Sequence, residues 1–501
     1  MAMKETYILA IDQGTTSTRS IIFNRKGQIM ASSQMEIAQI CPNNGWVEQN
    51  PEEIFETVIQ TIKDALNQAH LSIESIEALG ITNQRETTIL WDKITGKPLY
   101  HAIVWQSRQS TAICEEWISK GYQKTVHQKT GLMINPYFSA SKIRWILDHV
   151  PGSSEKAKRG EILFGTVETY LLWRLTKGKH HITDYSNASR TMVFNINTLN
   201  WDEELLALFD FPLSLFPQVV DSACLVGGAD GLREFFPNAQ VKIASLVGDQ
   251  QAALFGQCCF DKGSIKSTYG TGCFILMNTK EVPIYSQAGL LTTIAWGING
   301  KIEYALEGSV FVAGAAVQWL RDGLKFFPKS SDCEEYLQKN PDSGGVYMVP
   351  AFVGLGTPYW DNDARGAIFG LTRATTKENV IAAVIEGIAY QAKDVMDVMK
   401  KEAGFDIQYL GVDGGASVNN FLMQFQADLL NVKLVRPRCL ETTALGAFYL
   451  AALAIGWFKS TEEIKKYHQV DRLFLSHMTE EERERRLKGW QKAVQATLTF
   501  K

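Results

Sequence analysis

The 501-residue sequence contains no CxxC pair among its eight cysteines, which stand at 41, 114, 224, 258, 259, 273, 333 and 439. That spacing excludes the common zinc and redox motifs, the adjacent Cys258-Cys259 included, and leaves free thiols suited to a reducing cytoplasm. No secretion signal opens the chain. Met1 to Asp12 reads as a short strand carrying Lys4 and Glu5, without a basic region, an apolar stretch and a small-residue cleavage site. The longest apolar stretch, Gly446 to Phe458, is too short to span a bilayer, so a cytoplasmic protein with no membrane span is expected. There is no basic excess either: 50 Lys and Arg face 54 Asp and Glu, a net charge of −4 that argues against nucleic acid as a partner. The run Lys156-Ala157-Lys158-Arg159 reads as a solvated helix face. Low-complexity segments are lacking. So is a GxxxxGK[ST] segment, which removes the P-loop route to ATP.

What the chain does contain is ordinary globular material, 45% hydrophobic and 21% charged, long enough to bury a large core without staples. Its length suits two large α/β domains as well as about three average ones. The apolar run Tyr7-Ile8-Leu9-Ala10-Ile11 ends in Asp12-Gln13-Gly14-Thr15-Thr16-Ser17, and Ser20-Ile21-Ile22-Phe23 follows at once, a β-hairpin pattern. The pattern returns half a chain later, where Ile265-Lys266-Ser267-Thr268 leads through Tyr269-Gly270-Thr271-Gly272 into Cys273-Phe274-Ile275-Leu276-Met277. Two domains of related topology facing each other, the product of a divergent duplication, would explain the recurrence. Pro51-Glu52-Glu53 predicts a helix start, with Ile54, Val58, Ile62 and Leu66 at helical spacing. Strands are predicted at Leu79–Thr82, Ile243–Val247 and Tyr409–Val412, the last followed by a helix with Val418, Leu422, Phe425 and Leu429 on one face. Polar residues stand where these strands finish, which is where α/β folds place their sites.

Each Gly-Thr turn can aim backbone N–H groups and hydroxyls at phosphate oxygens, and two of them suggest a clamp from opposite sides. Asp12 would hold Mg²⁺, directly or through water, and Arg19 adds a charge within reach. Asp413-Gly414-Gly415-Ala416-Ser417, between a strand and a helix, suits a purine site, with Asn419 able to bond the base, although a plain strand-to-helix connection would look the same. Asp249, in Gly248-Asp249-Gln250-Gln251, is the candidate general base for phosphoryl transfer; capping the next helix is the alternative role.

The chain resembles the FGGY family of carbohydrate kinases. Tyr137-Phe138-Ser139-Ala140-Ser141-Lys142-Ile143-Arg144-Trp145 is similar to the first family signature, and Gly366-Ala367-Ile368-Phe369-Gly370-Leu371-Thr372-Arg373-Ala374-Thr375 to the start of the second. Stretches around residues 10–19, 81–86, 184–192, 248–257, 269–278, 305–322 and 412–421 extend the likeness from about residue 7 to at least 460. The resemblance implies two α/β domains of the actin/ribonuclease H-like kind, residues 1–253 and 254–501, with an interdomain cleft. It implies ATP and Mg²⁺ as cofactors, glycerol as the acceptor, and a homodimer or homotetramer. Arg85 and Glu86 match the residues that grip the triol, Trp105, Tyr137 and Phe274 its aromatic walls, and Asp249 and Gln250 the base and a hydroxyl-binding amide. Thr15, Thr16, Ser17, Arg19 and Thr271 match phosphate contacts; Gly314, Gln318, Gly415 and Asn419 match further nucleotide contacts; Asp12 and Asp249 match the metal position. The segment Gly227 to Glu234 departs from the family's effector loop, with acids where a bisphosphate would want cations. No histidine lies between His181 and His468 to serve as a phosphorylated switch. A kinase for another polyol or ketose, and a non-catalytic ATP-dependent switch, stay open at this level.

Overall fold

The computed structural model describes residues 5–361 and 363–500; the first four residues of the strand expected from Met1 to Asp12 lie outside them. Two large sheets organise the chain. The first contains β1 (Tyr7–Gln13), β2 (Ser17–Phe23), β3 (Ile29–Glu36), β4 (Ile76–Asn83), β5 (Ala223–Gly228) and β6 (Lys242–Gly248) in the order β5-β6-β4-β1-β2-β3. β1, β2 and β3 form an antiparallel meander, whereas β4 lies parallel to β1 and β6 parallel to β4. The second sheet runs β9-β10-β8-β7-β11-β12-β13. Its strands are β7 (Ser264–Tyr269), β8 (Cys273–Lys280), β9 (Leu291–Ile298), β10 (Lys301–Val310), β11 (Tyr409–Asp413), β12 (Leu434–Pro437) and β13 (Val470–Phe474).

With the outer strands set aside, both sheets have one connectivity: a hairpin, a third antiparallel strand, and then two strands parallel to the first. The recurrence of the two Gly-Thr turns is therefore a recurrence of topology. Parallel strands β1, β4 and β6 end at Gln13, Asn83 and Gly248, and β7 and β11 at Tyr269 and Asp413. All the chemistry-bearing turns lie at these carboxyl ends.

β1, β4 and β6 read as near-continuous apolar runs because both of their faces are buried. Ile8 and Ala10 of β1 face a core made with α3 (Asp249–Gly256) and α7 (Thr442–Ala454), which also takes in Leu276 and Ala305 of the second sheet. Leu9 and Ile11 face the opposite core with α1 (Pro51–Gln68). α1 starts as its sequence predicts, with Asn50 accepting from the Glu52 amide and Pro51 in the first turn. α3 and α7 cross tightly between the sheets. A β-carbon on Gly446 would lie 1.9 Å from the Ala252 carbonyl oxygen, and one on Gly256 2.1 Å from that of Thr442, so glycine is required at both positions.

The remaining helices used below are α2 (Ser139–His149), α4 (Gly314–Asp322), α5 (Lys377–Ala403) and α6 (Asn420–Leu430). α6 differs from its sequence-based expectation in one respect. Leu422, Phe425 and Leu429 are buried, but Val418 lies in a preceding 3₁₀ turn and is 52% exposed. Asn419 begins the helix instead, its side chain accepting from the Leu422 amide. Among the described residues no helix is long and apolar enough to cross a membrane.

Candidate active site

The side chains expected around the acceptor converge on the first lobe's strand ends. Arg85 and Glu86 follow β4, and both are buried. Glu86 adopts a left-handed backbone (φ 59°), a conformation that costs a non-glycine residue about 1–3 kcal/mol and marks functional sites. The Arg85 guanidinium donates to Glu307 of β10 through both terminal nitrogens (2.6 and 2.9 Å), to Gln251 Oε1 (3.2 Å) and to the Tyr137 hydroxyl (3.4 Å). Its Nε lies 3.3 Å from Asp249 Oδ1. Arg190 donates to Glu86 Oε1 (2.6 Å) and to Glu307 Oε1 (3.1 Å). Two guanidiniums and two carboxylates thus alternate in a buried cluster that bridges the lobes.

Aromatic rings stand above this floor. Trp105 meets Tyr137 edge to face at 5.5 Å and Phe274 at 6.2 Å. Tyr137 is held by Lys142 of α2, whose ammonium donates to the Tyr137 and Phe138 carbonyls (2.6 and 2.9 Å). The Lys142 of the signature motif therefore pins the loop that carries the wall. Asp249 opens α3, and its Oδ1 accepts from the Gln250 amide (2.7 Å). It does take a backbone N–H of its helix, yet its side chain remains 27% exposed.

Electrostatics follow from this burial. Burial pushes the Asp249 carboxyl above the ordinary carboxylate range, while Arg85 and Lys266 pull it back. Burial likewise raises Asp12 to about 7, against Arg19 and with help from the charges of Asp249 and Glu441. Glu307 goes the other way: burial opposes its charge, but Arg190 and Arg85 hold it at about 2. Glu86 is raised, because burial outweighs its two guanidinium neighbours.

The residues expected at the nucleotide are distributed around both turns. Thr16 is exposed, Ser17 is buried and accepts from Gln34 (3.0 Å), and the Thr15 hydroxyl accepts from Trp105 Nε1 (2.8 Å). Arg19 is engaged by Glu441 (2.7 Å) and Gln34 (2.9 Å), so reaching a phosphate requires it to exchange partners. In the second lobe Thr271 and Gly270 are exposed, and the start of α4 closes on them: Gly314 N–H donates to Gly270 (2.9 Å) and Ala315 N–H to Thr271 (3.1 Å). A β-carbon on Gly314 would lie 2.6 Å from the Gly270 carbonyl oxygen, and one on Gly414 (φ 85°) 2.6 Å from that of Tyr269. These glycines bring α4 and the Asp413–Gly415 loop against the turn. Gly415 has open space beside it and Gln318 is exposed on α4. Asn419 is buried, its amide nitrogen 3.3 Å from Cys333 Sγ.

No group of three or more His, Cys, Asp or Glu side chains that could hold a metal converges among the described residues. Asp12 and Asp249 do sense each other's charge. Two carboxylates without further protein ligands suit Mg²⁺, which takes one or two and completes its shell with water and phosphate oxygens.

Arg190, Glu307, Gln251 and Lys266 lie outside the residues expected from sequence. Lys266 carries a signal, as the one charge in the strand Ser264–Tyr269, and Glu307 a weaker one, because β10 also holds Lys301 and Glu303.

Two α/β lobes repeat one topology and bring their polar strand ends together, and comparison with known proteins assigns the family. Residues 7–256 match the N-terminal domain of the FGGY family of carbohydrate kinases and residues 265–455 its C-terminal domain. The chain belongs to the FGGY family of carbohydrate kinases. Within that family the chain is similar over its full length to glycerol kinases. That of Bacillus licheniformis is 56% identical over 99% of this chain and 100% of its own. That of Bacillus subtilis is 55% identical over the same shares. The crystal structure of Plasmodium falciparum glycerol kinase with ADP superposes with a TM-score of 0.93 at 36% identity, covering 99% of this chain and 98% of that one.

Proposed function

We propose that the chain transfers the γ-phosphoryl group of ATP to a terminal hydroxyl of glycerol, giving sn-glycerol 3-phosphate in glycerol uptake and catabolism. The observation that carries this is the paired Arg85-Glu86 floor with Asp249 beside it, walled by Trp105, Tyr137 and Phe274. Arg85 donates to substrate hydroxyls and Glu86 accepts from them, while the rings cover the carbon chain. Gln250 binds a further hydroxyl. Asp249 accepts the proton of the reacting hydroxyl; the glycerol oxygen then bonds to the γ-phosphorus as the bond to the β–γ bridging oxygen breaks and ADP leaves.

Thr15, Thr16, Ser17 and Arg19 serve the phosphates from one lobe and Thr271 from the other. Gly314, Gln318, Gly415 and Asn419 serve the nucleotide's remaining contacts. Asp12 and Asp249 are the residues to hold Mg²⁺, which when bound neutralises charge on the phosphate oxygens. The lobes divide within α3, as residues 1–253 and 254–501, since the first sheet ends at Gly248 and the second begins at Ser264. Free thiols at all eight cysteine positions suit the reducing cytoplasm. A homodimer or homotetramer is the expected assembly, measurable by sedimentation.

The test is a coupled ADP-release assay with and without glycerol. Glycerol-dependent ADP release is expected. Tight ATP binding with no release on glycerol addition would refute the assignment, and faster release with a longer polyol or a ketose would redirect it.

A further inference from the structure

Lys266 is among the buried charges that have no part in the reaction set out above. Lys266 lies on β7, the first strand of the second lobe, and is fully buried at 0% exposure. Its ammonium reaches the first lobe's α3, donating to Gln250 Oε1, and also donates to Thr268 Oγ1 at 3.0 Å. Both acceptors are neutral. The carboxylates of Asp413 and Asp249 act on it through space. Burying an ammonium with neutral acceptors is costly, and a methionine of similar length would fill the space more cheaply. A chemical role for the charge is needed to explain its presence.

The role follows from what an ammonium can do. It has donors and no acceptor, so the half of the Gln250 amide that faces it must be the carbonyl oxygen. The NH₂ half is thereby turned away from Lys266, and the Gln250 side chain hydrogen-bonds to the Asp249 carboxylate. We infer that Lys266 is a positioning residue that fixes the Gln250 amide, so that at this point the pocket offers the polyol hydrogen-bond donors and no acceptor. This rests on the assignment of Gln250 to the glycerol site. It gives direction to the proton as well: a hydroxyl held between Gln250 and Asp249 can accept from the amide, and the carboxylate is the partner left for its own proton. Because Lys266 and Gln250 belong to opposite lobes, the amide is set only when the lobes are in the arrangement seen here.

A double-mutant cycle tests this, with KM for glycerol, KM for ATP and kcat measured on the full chain. Gln250→Ala is expected to raise the glycerol KM by about 2- to 10-fold, the value of one hydrogen bond. Lys266→Met should raise it by a similar factor and leave the ATP KM in place. The double variant should be no worse than Gln250→Ala, because the lysine acts through the amide. Lys266→Gln, which keeps an N–H donor, should recover part of the loss. Should Lys266→Met not fold, Lys266→Gln carries the same cycle: its effect must vanish in the Gln250→Ala background. Losses that multiply, or a Lys266 variant that raises the ATP KM and spares glycerol, would overturn the inference while leaving the pocket intact. If Gln250→Ala alone leaves the glycerol KM unchanged, the assignment of Gln250 fails and the role of Lys266 falls with it.

Discussion

The polyol end and the nucleotide end of the cleft are built on opposite plans. At the polyol end Arg85, Glu86, Arg190 and Glu307 are each no more than 2% exposed, and every charge is paired before a substrate arrives. At the nucleotide end Thr16, Gly270, Thr271, Gln318 and Gly415 are exposed, and the contacts on offer are hydroxyls and glycine backbone. The difference suits the two ligands. A triol has few atoms and no charge, so its orientation must come from rigid, pre-paired groups. A nucleotide triphosphate brings its own charge, and an exposed rim lets it enter and its product leave. The two terminal nitrogens of Arg85 make four hydrogen bonds, the longest to Tyr137 at 3.4 Å, and its Nε lies 3.3 Å from Asp249. Glycerol hydroxyls would exchange with those two, which releases Asp249 for proton transfer.

The sharpest way to break the contrast is at Asp249, the carboxylate where both ends meet. Asp249→Asn should lower turnover by about 10²–10⁴ at saturating glycerol and ATP, the usual worth of a general base, with the fold intact by circular dichroism. Turnover near the parent's would remove the base from this position. Glu307→Gln attacks the floor itself. It removes the negative charge that two buried guanidiniums share, and loss of one partner in such a cluster costs about 3–5 kcal/mol of stability. Urea unfolding should show that loss, and glycerol KM should rise while ATP KM holds. The matched control is Arg19→Met at the other end. Its pair with Glu441 is 34% and 38% exposed, and such pairs are worth about 0–1 kcal/mol, so unfolding should barely move. Equal losses in the two variants would show that pre-pairing does not distinguish the ends.

How much of this was legible beforehand divides along the same line. The hairpins, their repetition and the strand-end positions of Asp249 and Asp413 could be read from apolar runs broken by Gly-Thr turns, since local pattern sets them. Apolar spacing carries helix α6 back to Val418, two residues before its start at Asn420, and nothing in spacing announces that Asn419 is the cap. The partners of Arg85 were out of reach for a stronger reason. Glu307 is 222 residues away in sequence, and a bidentate pair across two lobes leaves no local trace that sets Glu307 apart from Glu303 of the same strand. The residues proposed for the site stand at legible strand ends and motifs; what holds them in place is a tertiary fact.

Trp105 gives the finest test, because it belongs to both ends. Its ring faces Tyr137 and Phe274 in the polyol wall, and its indole N–H donates to the Thr15 hydroxyl of the first phosphate turn at 2.8 Å. Trp105→Phe keeps an aromatic wall and deletes that bond. A neutral hydrogen bond is worth about 0.5–1.5 kcal/mol, so a 2- to 10-fold rise in ATP KM is about what its loss can produce. The smaller ring leaves glycerol some slack, and its KM should rise by less than the ATP value does. If the glycerol KM rises more, the indole acts as a wall and its link to the turn is incidental. If ATP KM rises more, the rigid polyol floor is mechanically joined to the exposed phosphate rim through one side chain, and the two plans are parts of one device.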